Sequence, residues 1–106
     1  MSEIKVVQGD DVRINFSLKY ASGTPYTFRE GDKVVFTVRP RLSEEPVITK
    51  EVTVDTPAAI VTVVLIPEDT ATLRMGTYVY DAKLVNGNGT HTFCPLSDFM
   101  VVASVG

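Results

Sequence analysis

Few side chains in this sequence could act in catalysis or bind a metal ion, and the sequence gives those few no clear partners. His91 is the only histidine, so a catalytic triad or a multi-histidine metal site would have to be built around it alone. It shares a strand parity with Phe93, which favours a packing or surface role. Cys94 could act as a nucleophile only beside an activating base in a cleft. A buried or half-buried thiol at a strand end is therefore the expected outcome.

Two pairs of neighbouring acids, Asp10 with Asp11 and Glu44 with Glu45, are the remaining catalytic candidates. Paired carboxylates can hydrolyse glycosides, but neighbours along a strand point to opposite faces, so we expect solvated acids. The run NGNG that begins at Asn86 has too few carboxylates for calcium. Because phosphate-binding and nucleophile-elbow motifs are also absent, the sequence predicts no enzyme, no cofactor and no catalytic, cofactor-binding or metal-binding residue.

The length and amino-acid composition of the chain are typical of a folded domain. The chain has 106 residues, of which 44% are hydrophobic and 22% charged, so we expect a single domain spanning residues 1–106. One cysteine excludes an intramolecular disulfide. The net charge of -3, without a cluster of Lys and Arg, argues against nucleic-acid binding. Neither a signal-peptide pattern nor a run of about 20 apolar residues is present, so we expect no membrane partner.

Alternation of apolar and polar residues with a period of two predicts most of the strands. In residues 11–20 five apolar side chains share one face: Val12, Ile14, Phe16, Leu18 and Tyr20. A turn at SGTP precedes a second strand over residues 33–40, which Pro40 ends. Residues 47–54 alternate less cleanly, which indicates a strand near a sheet edge.

The second half of the chain predicts a helical turn and a hairpin. A strand over residues 60–66 is followed by PEDTATL, where a proline and two acids favour one short helical turn between Pro67 and Leu73, closed by Gly76. Residues 76–93 form a hairpin with NGNG as its turn. We expect Pro95 to interrupt the returning strand.

Together these elements predict an all-β fold: an immunoglobulin-like two-sheet antiparallel β-sandwich of seven or so strands, with one short helical turn. The stretch LRMGTYVY resembles the corner before the sixth strand of such sandwiches, with Tyr78 bonding back to the preceding turn. The chain has no Trp and one Cys, so it is not an antibody domain.

The most informative pattern is the placement of apolar residues on both faces of two predicted strands. A sandwich buries one face of each strand, yet residues 60–66 are apolar on both faces, and so is the last strand, where Phe99, Val101, Ala103 and Val105 alternate with further apolar residues. We expect the second faces to form a protein interface, or to be covered by loops or the N-terminal segment. The candidate interface residues are Ile60, Thr62, Val64, Ile66, Met100 and Val102.

Three stretches, VVQGDDVRINFSLKYASGTPYTFREGDKVVFTVRP, IPEDTATLRMGTYVYDAKLVNGNGTHTF and FMVV, resemble the N-terminal domain of phage baseplate upper proteins and related short prophage tail-associated immunoglobulin-like proteins. That family has a QGD start, a strand ending in T-V-R, and a DT..L..G.Y.YD..L block before a glycine-bearing hairpin. The matching positions are Gln8, Gly9, Asp10, Phe36, Asp69, Thr70, Leu73, Gly76, Tyr78, Tyr80, Asp81 and Leu84.

The resemblance implies a non-enzymatic structural or adaptor module of a phage or prophage tail or baseplate, acting through strand faces and edges. Its partners would be other tail or baseplate proteins or copies of itself, with no nucleic acid and no membrane. It would lie in the virion or in the cytoplasm of the bacterial host, without a signal peptide. The alternative is a carbohydrate-binding module for a bacterial surface glycan, with Tyr20, Tyr26 and Phe28 as its loop-adjacent aromatic group.

Overall fold

The computed structural model describes residues 4–20, 22–41, 45–87 and 89–102, without the side chains of residues 94–96. Nine strands and one helix lie in these ranges. In chain order they are β1 (Ile4–Val7), β2 (Val12–Phe16), β3 (Leu18–Lys19), β4 (Pro25–Tyr26), β5 (Lys33–Pro40), β6 (Ile48–Thr53), β7 (Val61–Leu65), α1 (Pro67–Ala71), β8 (Gly76–Asn86) and β9 (Gly89–Val102).

The strands form two opposed sheets and a small ribbon. Five strands lie in the order β1-β9-β8-β5-β6, β2 pairs with β7, and β3 pairs with β4. All neighbours are antiparallel except β1, which runs parallel to β9. The pair β2 and β7 opposes β5, β8 and β9, as strands B and E oppose C, F and G in an immunoglobulin sandwich. The predicted all-β sandwich with one short helical turn is therefore confirmed, with one parallel pair that was not expected.

The core lies between the inner faces of the two sheets. Val34, Phe36 and Val38 of β5 are fully buried, as their alternation predicts, and so is Phe99 of β9. The Phe36 ring lies 5.9 Å from the Phe16 ring of the opposite sheet. Burying each such side chain stabilises the fold by about 1.5–3 kcal/mol, so these positions hold the two sheets together.

Three predicted boundaries were wrong. The strand expected over residues 11–20 breaks at Ser17, because its antiparallel partner β7 begins only at Val61, opposite Phe16, and the remainder pairs with β4 instead. Gly76 begins β8 rather than closing the helical turn, which ends at Ala71. The last strand runs continuously through residue 95, and the irregularity appears as a shift of register against β8.

Helix α1 is bound to the turn that precedes β2. Thr70 is fully buried, and its hydroxyl accepts a hydrogen bond from the Gly9 N–H (3.1 Å) and donates one to the Asp10 carbonyl (2.8 Å). The Gln8 side-chain amide donates to the Leu73 carbonyl at 2.7 Å. We call these contacts the α1 junction. They join two segments that lie about sixty residues apart along the chain.

The predicted tyrosine corner is confirmed. The Tyr78 hydroxyl donates a hydrogen bond to the Arg74 carbonyl at 2.9 Å, so this side chain of β8 holds the backbone turn that leads into the strand.

In the first turn of α1, the Asp69 carboxylate accepts a hydrogen bond from the Ile66 N–H (2.9 Å) and pairs with Lys50 of β6 (2.9 Å). The helix is thereby fixed to the turn before β2 and to β6 of the five-stranded sheet.

Candidate functional site

Apolar side chains lie exposed along the outer face of β7. Ile60, Val64 and Ile66 are 56%, 38% and 46% exposed, whereas the alternate residues of the strand, Val61 and Leu65 among them, are buried in the core. We call the residues Ile60, Thr62, Val64 and Ile66 the β7 outer face. In the part of the chain that the structure describes, these three apolar side chains remain partly exposed, which favours the interface over the alternative that loops or the N-terminal segment cover this face.

Strand β2 completes the outer surface of this sheet. Arg13 lies opposite Val64, and Asn15 lies opposite Thr62. The Thr62 hydroxyl donates a hydrogen bond to the Asn15 side-chain oxygen at 2.7 Å. The two polar side chains at the centre of this surface are therefore hydrogen-bonded to each other. Within the described ranges β2 pairs only with β7, which leaves its other edge open.

Met100 and Val102 do not belong to the β7 outer face. They lie on β9, in the five-stranded sheet, where the alternate residues Phe99 and Val101 are buried. Their side chains therefore point away from the core on the opposite side of the sandwich. Both are half-buried. The six predicted interface residues thus divide between two outer surfaces, and Ala103 and Val105 lie outside the described residues.

A groove of about 700 Å³ lies at one end of the sandwich, between the β3–β4 ribbon and the β8–β9 hairpin. Tyr20 and Tyr26 line one side of it and His91 lines the other. Tyr20 is 50% exposed, and its ring meets the Tyr26 ring edge to face at 5.6 Å. We call this cavity the end groove.

A buried carboxylate stabilises the wall of the end groove. Asp32 is 5% exposed, and its Oδ2 accepts from the Tyr26 hydroxyl (2.6 Å) and the Arg29 N–H (2.9 Å). The Asn86 amide lies 3.4 Å from Oδ1. Because Tyr26 belongs to the ribbon and Asn86 to the hairpin, the carboxylate ties the ribbon to the hairpin.

The surroundings of Asp32 shift two pKa values. Burial alone would raise the pKa of the Asp32 carboxyl, but its three hydrogen bonds and the positive charge of Arg29 outweigh burial, and the pKa is lowered. The hydrogen bond to Asp32, with burial, raises the pKa of the Tyr26 hydroxyl. An ionised carboxylate and a neutral phenol are therefore the stable pair at neutral pH.

Among the residues that the structure describes, the catalytic candidates do not form a common site. His91 is exposed, as are Asp10 and Asp11, and Glu44 and the Cys94 side chain lie outside the described part. Phe28 is fully buried, so it cannot offer a ring to a ligand and the expected aromatic group reduces to two tyrosines. The sequence pattern did not indicate the remaining residues of the end groove. The loop FREGD at residues 28–32, in which an acid directly follows a glycine, was the one feature that could have pointed to them.

Neither a cluster of metal ligands nor a membrane-spanning helix lies in the described residues. No group of three or more His, Cys, Asp or Glu side chains in them could hold a metal ion. None of their helices combines the length and the apolar character that crossing a membrane requires.

The fold and these surfaces define the class of the protein as an immunoglobulin-like β-sandwich with an exposed apolar sheet face and, at one end, a groove lined by both polar and apolar side chains. A scan against models of known protein families finds no match for this chain, and a search of curated proteins finds none either.

Proposed function

We propose that the protein is a non-enzymatic interaction module of a phage or prophage tail or baseplate, which assembles through the β7 outer face. The observation that carries the proposal is the row of exposed apolar side chains, Ile60, Val64 and Ile66. Contiguous apolar surface on a small domain commonly marks a contact with another protein. Burial of this face on assembly would supply the driving force.

The tail assignment rests on the resemblance to baseplate upper proteins, and the matching residues have clear structural roles here. The QGD stretch and the DT..L block contain Gln8, Gly9, Asp10, Thr70 and Leu73, the residues of the α1 junction. These motifs therefore specify how the chain folds at this corner. Assembly depends on the β7 outer face, where none of the matching motif positions lies.

The partner we propose is a second copy of this chain, as expected for a repeating tail assembly. Exposed Asp11 and Arg13 lie two residues apart at the start of β2, beside Val64. A copy related by a two-fold axis would bring the arginine of each face near the aspartate of the other, without a net repulsion. The open edge of β2 could add strand pairing to the same contact.

The test substitutes one residue of the face and one residue outside it. Val64→Asp places a charge among the apolar side chains, whereas Thr49→Asp adds the same charge at an exposed site on β6. We expect Val64→Asp to abolish association in sedimentation velocity while circular dichroism shows a folded protein, and Thr49→Asp to associate as the unmodified chain does. Equal association of all three proteins would refute the β7 outer face as the contact.

A carbohydrate-binding module for a bacterial surface glycan is the second candidate function. The end groove favours it, because the groove combines the exposed Tyr20 ring with several polar side chains. The two functions use separate surfaces, so one chain could carry both.

A further inference from the structure

We infer that the end groove is a binding site for a neutral polyhydroxylated ligand, a sugar unit of a glycan. The inference rests on the second candidate function and deepens it by assigning the site. The groove volume of about 700 Å³ lies within the range of small-molecule sites, roughly 300–1,000 Å³. The groove lies on residues that the α1 junction and the β7 outer face do not use.

The charges that line the groove select a neutral ligand. Two cationic side chains, Lys19 and Arg29, are matched by two acidic ones, Glu30 and Asp32. An anion such as a phosphate would meet the two carboxylates, and a cation would meet the lysine and the arginine. Because donors and acceptors are both present, hydroxyl groups, which donate and accept, suit the lining better than a charged group.

Tyr20 supplies the apolar surface that a sugar ring needs. Half of this side chain is exposed, and the edge-to-face contact with Tyr26 holds it in place. Aromatic rings that are fixed in this way offer an apolar face beside a polar rim. The apolar C–H face of a pyranose can lie on such a ring.

Asp32 supplies a fixed acceptor in the wall of the groove. Its Oδ2 is occupied by Tyr26 and Arg29 at 2.6 and 2.9 Å. Its Oδ1 has in the described residues only the long contact of 3.4 Å to Asn86. A carboxylate oxygen can accept more than one hydrogen bond, so Oδ1 retains the capacity to bind a ligand hydroxyl. The hydrogen bonds to Oδ2 keep the carboxylate ionised and oriented for this role.

The experiment titrates the protein, labelled with ¹⁵N, with methyl glucoside, methyl mannoside, rhamnose and N-acetylglucosamine, and with glycerol 3-phosphate as an anionic comparison. We expect saturable shifts of the Tyr20, Asp32 and Asn86 amides with at least one neutral sugar and none with glycerol 3-phosphate. Tyr20→Ala should weaken the affinity at least tenfold, whereas Tyr20→Phe, which keeps the ring, should stay within about threefold. Val64→Asp, outside the groove, should bind as the unmodified chain does.

Three outcomes would overturn the inference in different ways. If a sugar binds with shifts elsewhere and Tyr20→Ala has no effect, the site is wrong but the glycan function survives. If none of the neutral sugars gives a saturable shift, both the site and the second candidate function fail. If glycerol 3-phosphate binds instead, the neutral ligand class is wrong. None of these outcomes bears on assembly through the β7 outer face.

Discussion

The α1 junction gives the sharpest stability prediction, through the substitution Thr70→Val. Valine has nearly the shape of threonine, so the substitution removes the buried hydroxyl without opening a cavity. The two hydrogen bonds of the junction are lost, one from the Gly9 N–H and one to the Asp10 carbonyl, together with the longer contact of 3.3 Å to the Pro67 carbonyl within α1. At about 1 kcal/mol for each bond, we expect the free energy of unfolding to fall by about 2 kcal/mol. Urea denaturation at neutral pH measures this loss, with the slope against urea unchanged.

The control for this prediction is Thr70→Ser, which keeps the hydroxyl and removes one methyl group. It should cost about 1 kcal/mol, the value of one buried carbon. If the free energy of unfolding of Thr70→Val lies within about 0.5 kcal/mol of that of the unmodified protein, the hydroxyl does not hold the junction. The same conclusion follows if Thr70→Ser is less stable than Thr70→Val. A double-mutant cycle that combines Thr70→Val with Gln8→Leu tests whether the contacts of the junction act together. We expect a coupling energy of at least about 0.5 kcal/mol, whereas additive losses would show that the contacts are independent.

Three further substitutions test the contacts described above. Tyr78→Phe removes the corner bond to the Arg74 carbonyl and should lower the free energy of unfolding by about 1 kcal/mol, with Thr77→Ala as an exposed neighbouring control in the same urea titration. Asp32 has a lowered pKa in the folded chain, so its stabilising contribution is fully present above the ordinary carboxyl pKa of about 4 and is lost as the pH falls through the folded-state value. The stability difference between the unmodified protein and Asp32→Asn should therefore shrink in urea titrations below pH about 4, and a constant difference would contradict the assignment. Lys50→Met breaks the ion pair with Asp69 and should cost up to about 1 kcal/mol at low salt; thermal melts at low and high salt should show the loss decreasing as salt screens the pair.

Local patterns predicted the core well because a strand's two faces follow directly from its alternation. Val34, Phe36 and Val38 are buried as expected, and the corner at Tyr78 follows from a short stretch of sequence. The break at Ser17 could not be predicted in this way, because it depends on where β7, a distant segment, begins.

The surfaces were harder to predict because they combine residues that are distant in sequence. Parity indicated that Val64 and Met100 both point away from the core, but only the sheet order separates them onto two surfaces. The end groove was not predicted for the same reason, because Asn86 lies 54 residues from Asp32 along the chain. No periodic pattern in either segment indicates that they meet.

Light scattering coupled to size-exclusion chromatography, over a wide range of protein concentrations, tests the central claim most directly. If the β7 outer face binds a second copy, the measured mass of the unmodified chain should rise with concentration from that of one 11.6 kDa chain to that of a dimer. Val64→Asp should remain at the mass of one chain throughout. A mass that stays at one chain for the unmodified protein at every concentration would contradict self-assembly through this face.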